Sequence, residues 1–554
     1  MTAPVGSSRV ALLAFALTFG ILLANGRAIG SGDTNAMERT AGSLIERGTV
    51  VRPDDGTADP FTRAVPSGRV SIYPIVPALL AAPFFFVCRL FFELNPAGLQ
   101  VAGKVTAAFL AAFATALLAR VFAKRTSLTM ALVSALLFGL GTSAYSTAQA
   151  LWQHPAVVFF LVIALDAFPR IETAAANERW RPGLIAALSL SLAAASRPAA
   201  IPMCAALFVF LLTRVRGHAG RLIAAAAAPA AGVALYNTTF FGAPWRFGPA
   251  GGTGRFFGAF PESIAGLLLS PARGLLVFTP LALVAAWGLA GQTRTSALAR
   301  GLAGAVLAHF IFIAAWNEWH GGESFGPRLL TDLLPVLYFF LPEGLAAWPK
   351  TGALLGTVSI AIQLLGGWTY DYRWERLHQR GQEFDEALWS WTDSPLAFAV
   401  REGVIIQGTP VLEGRRVRLR QYRSTPFGPR GSVIEATPFG LRISGPPLAR
   451  DVRLERGARM AGEGIALSHP ADALAFRVGS GGAGSVRIVG SLQGVLRIEA
   501  PSGTVSISSS GAFDLTVPIQ LAAEDEVFVR AESGDLRLAR VEALSSGAGE
   551  RPPT

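Results

Sequence analysis

Long uncharged, apolar runs fill residues 10–368 and then stop. A run of about 18 or more apolar residues must be buried in a bilayer or deep in a protein core. Composition favours the bilayer. Of 554 residues, 51% are hydrophobic and only 15% charged, with a mean hydropathy of +0.44. A water-soluble chain of this length would carry nearer a quarter charged residues. The expected architecture is an all-α polytopic membrane domain of about eleven transmembrane helices over residues 1–370, then a linker with helical character over 371–400. An all-β periplasmic domain, a β-sandwich or jelly roll, should occupy 401–545, and 546–554 should be a disordered end.

The apolar segments lie near 10–24, 100–119, 127–144, 156–169, 183–197, 199–213, 222–241, 274–291, 301–316, 329–345 and 351–368. Placing the N-terminus inside gives inner loops with 11 Lys or Arg in 37 residues, against 10 in 103 residues of outer loops. That bias has the sign the positive-inside rule demands, for a bacterial inner-membrane protein with its tail outside. The formal charge of +11 is thereby explained without nucleic acid. No basic cluster accompanies a nucleic-acid motif, so that partner is excluded.

Residues 72–92 are apolar but interrupted by Pro74, Pro77 and Pro83. Counting them as a span would invert every later loop, so they read as an interfacial or re-entrant element on the outer face. Trp316, Trp319, Trp368, Trp374, Trp389 and Trp391 sit at outer helix ends, where an aromatic belt is expected. Cys88 and Cys204 lie inside apolar runs without metal-ligand spacing and read as filler. The run at 10–24 lacks a convincing cleavage site and reads as a retained helix.

From about Val404 the pattern becomes short alternating segments such as Arg416-Val-Arg-Leu-Arg420, Val495-Leu-Arg-Ile-Glu499 and Thr504-Val-Ser-Ile-Ser508. Gly, Ser and Pro clusters separate them, which is strand rhythm. Beyond Trp391 there is no tryptophan, and Tyr422 is the only tyrosine, so this domain is poorly equipped to stack on sugars.

Ionisable residues at the outer helix ends are the candidates for chemistry, because charge near lipid is costly. The first outer loop, Ser31-Gly-Asp-Thr-Asn-Ala-Met-Glu-Arg-Thr-Ala-Gly-Ser-Leu-Ile-Glu-Arg-Gly48, reads as a short amphipathic helix with Asp33 at its N-cap and Gly48 at its stop. Asp33 is then a cap, a catalytic carboxylate held just outside the membrane, or both. Arginines available on this side are Arg63, Arg69, Arg255, Arg273 and Arg328, which lipid headgroup contact would also explain. His154 could be a cap, and Glu318, His320 and Glu323 are either solvated or able to hold a divalent cation; no definite metal site or cofactor is readable.

Asp33 followed by a helix ending at Gly48 resembles the first loop of membrane glycosyltransferases with the C-type (GT-C) fold. These include the dolichyl-phosphate-mannose protein mannosyltransferases and the bacterial aminoarabinose transferases. Tyr73-Pro-Ile-Val-Pro77 resembles the Pro-rich element of that loop, and Ser270-Pro-Ala-Arg-Gly274 opens a span. Trp316-Asn-Glu-Trp-His-Gly-Gly-Glu-Ser-Phe-Gly-Pro-Arg328 resembles a Trp/Gly/Arg-rich outer loop of bacterial members. Where the family often pairs Asp with Glu, this chain has Asp33-Thr34, and no second-loop acid aligns; Gln149, Gln153 and His154 are the polar residues there. The resemblance implies inverting transfer of a sugar from a polyprenyl-phosphate donor to a glycan, lipid or protein acceptor. That chemistry needs a base for the acceptor hydroxyl and cations for the leaving phosphate; Asp33 is the candidate catalytic residue, and Arg273, Arg328 and Arg69 are the candidates at the donor phosphate. His154, Glu318, His320, Glu323 and Tyr73 would contact acceptor or sugar.

Two other classes stay open: a flippase or transporter for a lipid-linked precursor, and a non-catalytic envelope scaffold. Transporters usually carry polar or broken helices near the bilayer midplane and often show two similar halves, and the sequence offers neither.

Overall fold

The computed structural model describes residues 5–54, 59–246, 256–370, 372–378, 382–402, 409–422, 431–437, 440–444, 449–455, 459–461, 464–467, 473–478, 483–521 and 525–544. The chain divides into a helical unit, Met1–Ala397 with Leu412–Val417, and a β-rich unit, Phe398–Val411 with Arg418–Thr554. Arg255 lies outside the described residues.

The helical unit runs α1 (Val5–Ala24), α2 (Gly32–Arg47), a hairpin of β1 (Thr62–Val65) and β2 (Gly68–Ser71), then α3 (Ile75–Phe91), α4 (Pro96–Phe122), α5 (Leu128–Gly141) and α6 (Ser143–Thr147). It continues with α7 (Gln153–Thr173), α8 (Trp180–Ser196), α9 (Ile201–Arg214), α10 (Ala219–Phe241), α11 (Glu262–Leu269), α12 (Leu275–Phe278), α13 (Ala282–Gln292) and α14 (Ala297–Ala315). It is a multi-pass membrane unit. Among the described residues six helices are long and apolar enough to cross a bilayer: Gly6–Ala24, Pro96–Phe122, Arg216–Phe241, Ala297–Ala315, Arg328–Ala347 and Pro349–Thr369. The other apolar segments fall on shorter helices. The central α4 buries Ala102, Ala107, Ala108, Ala111, Ala112 and Ala114, small side chains that let α1, α5 and α7 pack close to it.

Three expectations change. Asp33 is not the N-cap of α2. Ser31 is: its hydroxyl accepts from the Asp33 N–H at 3.3 Å, and Thr34 Oγ1 accepts from the Ser31 N–H at 3.1 Å. This reciprocal box satisfies the first turn without Asp33, while Gly48 closes the helix at φ 68°. Residues 75–91, expected as an interfacial or re-entrant element, form one unbroken helix. Pro74 precedes it and Pro77 sits in its first turn, where amide donors are unused; only Pro83 is interior. Its inner face (Ile75, Ala78, Ala81, Phe85) packs on Met37 and Ala41 of α2. Finally, residues 328–347 are broken where the sequence suggested a plain span. A 3₁₀ turn (Arg328–Leu333), α15 (Leu334–Leu337), a second 3₁₀ turn (Tyr338–Phe340) and α16 (Leu341–Ala347) follow one another, with Pro335 and Pro342 at the restarts. The chain therefore does contain a broken helix, and a buried Asp332 lies on it. The helix α17 (Pro349–Thr369) follows.

The aromatic-belt reading also needs correction. Trp389 and Trp391 are exposed, but Trp319 and Trp374 are buried in protein, and the Trp374 Nε1–H donates to the Asp393 carbonyl at 2.7 Å. Residues 372–378 and 382–397 belong to the helical unit, and Glu375 and Phe384 line one of its cavities.

Glu38, on the inward face of α2, is 2% exposed, and among the described residues it accepts only a long bond from the Leu151 N–H, 3.4 Å. Burial pushes its carboxyl up to about 8. The folded state therefore holds a proton that the unfolded chain releases near pH 4.5. Stability is full below that pH, falls as pH rises toward about 8, and then levels off. The slope inside that window is about 1.4 kcal/mol per pH unit. Melting curves in detergent should show it, and Glu38→Gln should flatten it and raise the melting temperature at pH 7.5. An unchanged slope in the variant would assign the effect elsewhere.

In the β unit, Glu526–Leu544 is the hub strand. One edge pairs antiparallel with Ala483–Ala500, which pairs in turn with Gly503–Leu521. The other edge meets Ala473–Val478, Gly464–Leu467 and Gly431–Thr437 in succession. Alternate residues Val486, Ile488, Leu492, Leu496 and Ile498 point to one core with Val527, Val529, Leu536 and Leu538, as period-two patterning requires.

Candidate active site

Asp33 and Arg328 form the centre of the site. Arg328 Nη1 stands 3.3 Å from Asp33 Oδ2, its Nη2 donates to the Gly321 carbonyl at 2.5 Å, and its guanidinium lies 4.3 Å over the Trp152 ring. The loop reaches this geometry because Gly321, Gly322 and Gly326 all take positive φ (74°, 64° and 78°), which other residues resist. Arg328 Nε is buried and has no hydrogen-bond partner among the described residues. Tyr73 lies beside Asp33 in the wall of one cavity; burial, and then the Asp33 charge, hold this phenol well above its ordinary range. Phe61 covers Gly32 so closely that a Cβ there would lie 1.8 Å from its ring. The open approach to Asp33 is therefore not over Gly32 but from the two cavities the carboxylate borders.

The first cavity, about 800 Å³, is lined by Ser31, Phe61, His320, Glu323, Glu375 and Phe384 beside Asp33 and Arg328. The second, about 850 Å³, is lined by Tyr73, Trp152, His154, Arg197, Trp316 and Leu329 beside the same pair. One is rich in carboxylates; the other combines cations with aromatic and aliphatic walls. The ion pair is the wall they share.

A second polar cluster backs the cationic cavity. Asp332, fully buried, accepts from Arg197 through Oδ2 and meets His154 Nδ1 at 2.8 Å through Oδ1. Neither Arg197 nor Asp332 was singled out by sequence, although both carried a signal. Arg197 interrupts the apolar runs 183–197 and 199–213, and Asp332 is one of only two acids within 329–345. An ionisable residue inside a span is expensive and should prompt a search for its partner.

Other candidates are placed elsewhere. Arg273 is fully buried and committed: Nε donates to His320 O at 3.0 Å, Nη1 to Ala272 O at 3.0 Å, and Nη2 to Gly322 O at 3.0 Å and Glu375 Oε1 at 2.8 Å. It lines neither cavity and acts as a strut beneath the 320–322 turn, so it is withdrawn from the donor-phosphate set. Arg69 is likewise spent on the hairpin, donating to Thr62 Oγ1 at 2.8 Å and Asp59 O at 3.3 Å. Glu318 lies 3.2 Å from His320 Nε2 with its side chain 42% exposed, and it lines neither cavity. His320 and Glu323 face the first cavity; Tyr73 and His154 face the second. Among the described residues no group of three His, Cys, Asp or Glu side chains is placed to hold a metal ion.

No protein-family model matches the chain, and no curated protein matches it in sequence. Among solved structures, ArnT from Cupriavidus metallidurans bound to undecaprenyl phosphate is similar over 71% of this chain and 68% of that one, with 11% identity and a TM-score of 0.43. The apo oligosaccharyltransferase of Archaeoglobus fulgidus is similar over 70% of this chain and 60% of its own, with 12% identity and a TM-score of 0.41. The S. cerevisiae protein O-mannosyltransferase Pmt1-Pmt2 complex bound to its sugar donor follows at 44% and 33% coverage, 17% identity and a TM-score of 0.29. The chain thus spans less than two thirds of the latter two. The resemblance to membrane glycosyltransferases read from the loops recurs among these folds; at such values it assigns no donor, acceptor or residue role.

Proposed function

We propose that this chain is an inverting membrane glycosyltransferase that moves a sugar from a polyprenyl-phosphate donor to an envelope acceptor at the periplasmic face. The observation that carries this reading is the Asp33–Arg328 pair at the meeting of two unlike cavities, with Arg328 Nε buried and unpartnered. The cationic cavity suits a lipid phosphate: Arg328 and Arg197 supply donors, and Tyr73, Trp152, Trp316 and Leu329 supply apolar walls. The acceptor occupies the first cavity. Phosphate takes the place of Asp33 as the counter-charge of Arg328. The released carboxylate accepts the acceptor hydroxyl proton as its oxygen attacks the anomeric carbon. The anomeric C–O bond to phosphate breaks on the opposite face, and the polyprenyl phosphate leaves with the bonding pair, its added negative charge stabilised by the guanidinium groups of Arg328 and Arg197. One nucleophile and one displacement give inversion.

We also propose eleven spans, an N-terminus inside and a tail, 401–545, closed as a β-sandwich outside. Asp33, His154, Arg197 and Arg328 all come from segment ends that the charge bias puts on one side. An impermeant thiol reagent should then label a cysteine at position 323 in intact cells and not one at position 178; the reverse pattern rejects the orientation.

Donor binding tests the site directly. A charge-assisted hydrogen bond is worth about 1.5–3 kcal/mol, so Arg328→Ala should weaken binding of a polyprenyl-phosphate sugar in nanodiscs about tenfold or more. Arg328→Lys should restore only part, because a planar fork becomes a point charge. Unchanged affinity in the alanine variant removes Arg328 from the site. The broken 328–347 segment with buried Asp332 favours a flippase as second reading; that activity would move the lipid across the bilayer without forming a glycosidic product.

A further inference from the structure

A corner of the helical unit far along the chain from Asp33 has the makings of a lipid site. The first residue of α8, Trp180, is flanked by two guanidinium groups, Arg181 at 5.6 Å and Arg221 at 5.0 Å from its ring, and His218 stacks at 6.3 Å. Arg181 and Arg221 are exposed, and among the described residues neither has a carboxylate within ion-pairing distance. The acids nearest in sequence do not neutralise them. Glu172 pairs with Arg214 at 3.6 Å, and Glu178 is exposed. Guanidinium groups held over an indole are pre-positioned and weakly hydrated, which suits a phosphate oxygen.

The surface beyond this corner is apolar. Arg181, Ile185 and Leu188 fall at i, i+4 and i+7 on α8 and are all exposed, Ile185 to 41% and Leu188 to 43%. Across from them α10 exposes Ile223 to 53%. The two helices are tied together, with the Ser191 hydroxyl donating to the Ala226 carbonyl at 2.6 Å. A cationic cap thus stands at the end of an apolar stripe, with a tryptophan at the junction. That is the order in which a phospholipid presents headgroup, glycerol and acyl chains.

We propose that Trp180, Arg181 and Arg221 bind the phosphodiester headgroup of an anionic phospholipid whose acyl chains lie along Ile185 and Leu188. The inference does not depend on the transferase reading. Charge complementarity selects the occupant: two unneutralised cations favour a lipid with net negative charge over a zwitterion.

The purified full chain, titrated with phosphatidylglycerol and with phosphatidylcholine of the same acyl composition, tests it by native mass spectrometry. Phosphatidylglycerol should be retained about tenfold more strongly, given the attraction expected for two basic residues near an anionic headgroup. Arg181→Gln with Arg221→Gln should abolish the preference, and Arg181→Lys with Arg221→Lys should keep most of it. Arg294→Gln with Arg300→Gln, basic residues elsewhere in the inner loops, should leave it intact. Glycerol phosphate should not displace the lipid, because the apolar stripe contributes to binding. The proposal fails if the wild type does not discriminate the two lipids, or if the glutamine pair retains the preference. Equal loss in the 294/300 control would mean diffuse charge, and displacement by glycerol phosphate would mean an anion site without lipid; either also overturns it.

Discussion

Replacing Asp33 by asparagine should cut glycosyl transfer by about 10²-fold or more, the usual contribution of a positioned general base, while barely moving the melting temperature. The separation of the two effects follows from the cap. Because Ser31 and Thr34 satisfy the first turn of α2, Asp33 carries none of the capping energy. What asparagine loses is a favourable charge at the helix N-terminus, about 0.3–1 kcal/mol, and a partly exposed ion pair with Arg328, worth about 1 kcal/mol or less. The substituted amide would keep nearly the same shape. Transfer from a polyprenyl-phosphate sugar in nanodiscs, run beside a melting curve, reads both quantities. Near-normal turnover in the variant would move the base to Glu323, the other carboxylate of the first cavity without a buried arginine partner.

Sequence patterning reached the elements better than it reached the site. The apolar runs and the strand rhythm each report a local period, and both landed on helix or strand in the structure. Asp33, His154, Tyr73 and Arg328 were legible because polar residues at helix ends on one side are few. Arg273 and Arg328 illustrate the limit. Each stands beside Gly or Pro at the mouth of an apolar segment, and nothing local tells them apart. Their fates are decided by partners far along the chain: Glu375 buries and neutralises Arg273, whereas Arg328 meets Asp33 at the edge of open space. Arg197 and Asp332 were missed for the same reason. Each lies within an apolar run, and nothing local shows that they are halves of a pair 135 residues apart. Trp319 and Trp374 misled because amphipathic rings at helix ends suit a lipid interface and a protein interior equally well, and composition cannot choose between them.

The largest loss of stability is expected from Asp332→Asn. Asp332 is fully enclosed and holds Arg197 through one oxygen and His154 through the other. Asparagine fills the same space and still accepts one hydrogen bond, so no cavity forms. The charge is what disappears. Arg197, 7% exposed, is left as a buried cation without its counter-ion, a situation that costs about 3–5 kcal/mol when one member of a buried pair is removed. Removing both members should cost less than removing one, since apolar replacement of a buried pair is often neutral. Asp332→Asn combined with Arg197→Met should therefore melt above the single Asp332→Asn variant, a non-additivity that a double-mutant cycle isolates. The same pair of variants divides stability from function. The double variant regains stability but lacks the second guanidinium of the cationic cavity, so donor binding should stay weak in it although its fold is restored. Thermal melts and donor titration of the wild type, both singles and the double in one detergent would decide the matter. Additive melting temperatures would mean that Asp332 does not neutralise Arg197. Full donor affinity in the stable double variant would take Arg197 out of the phosphate site and leave Arg328 as its cation.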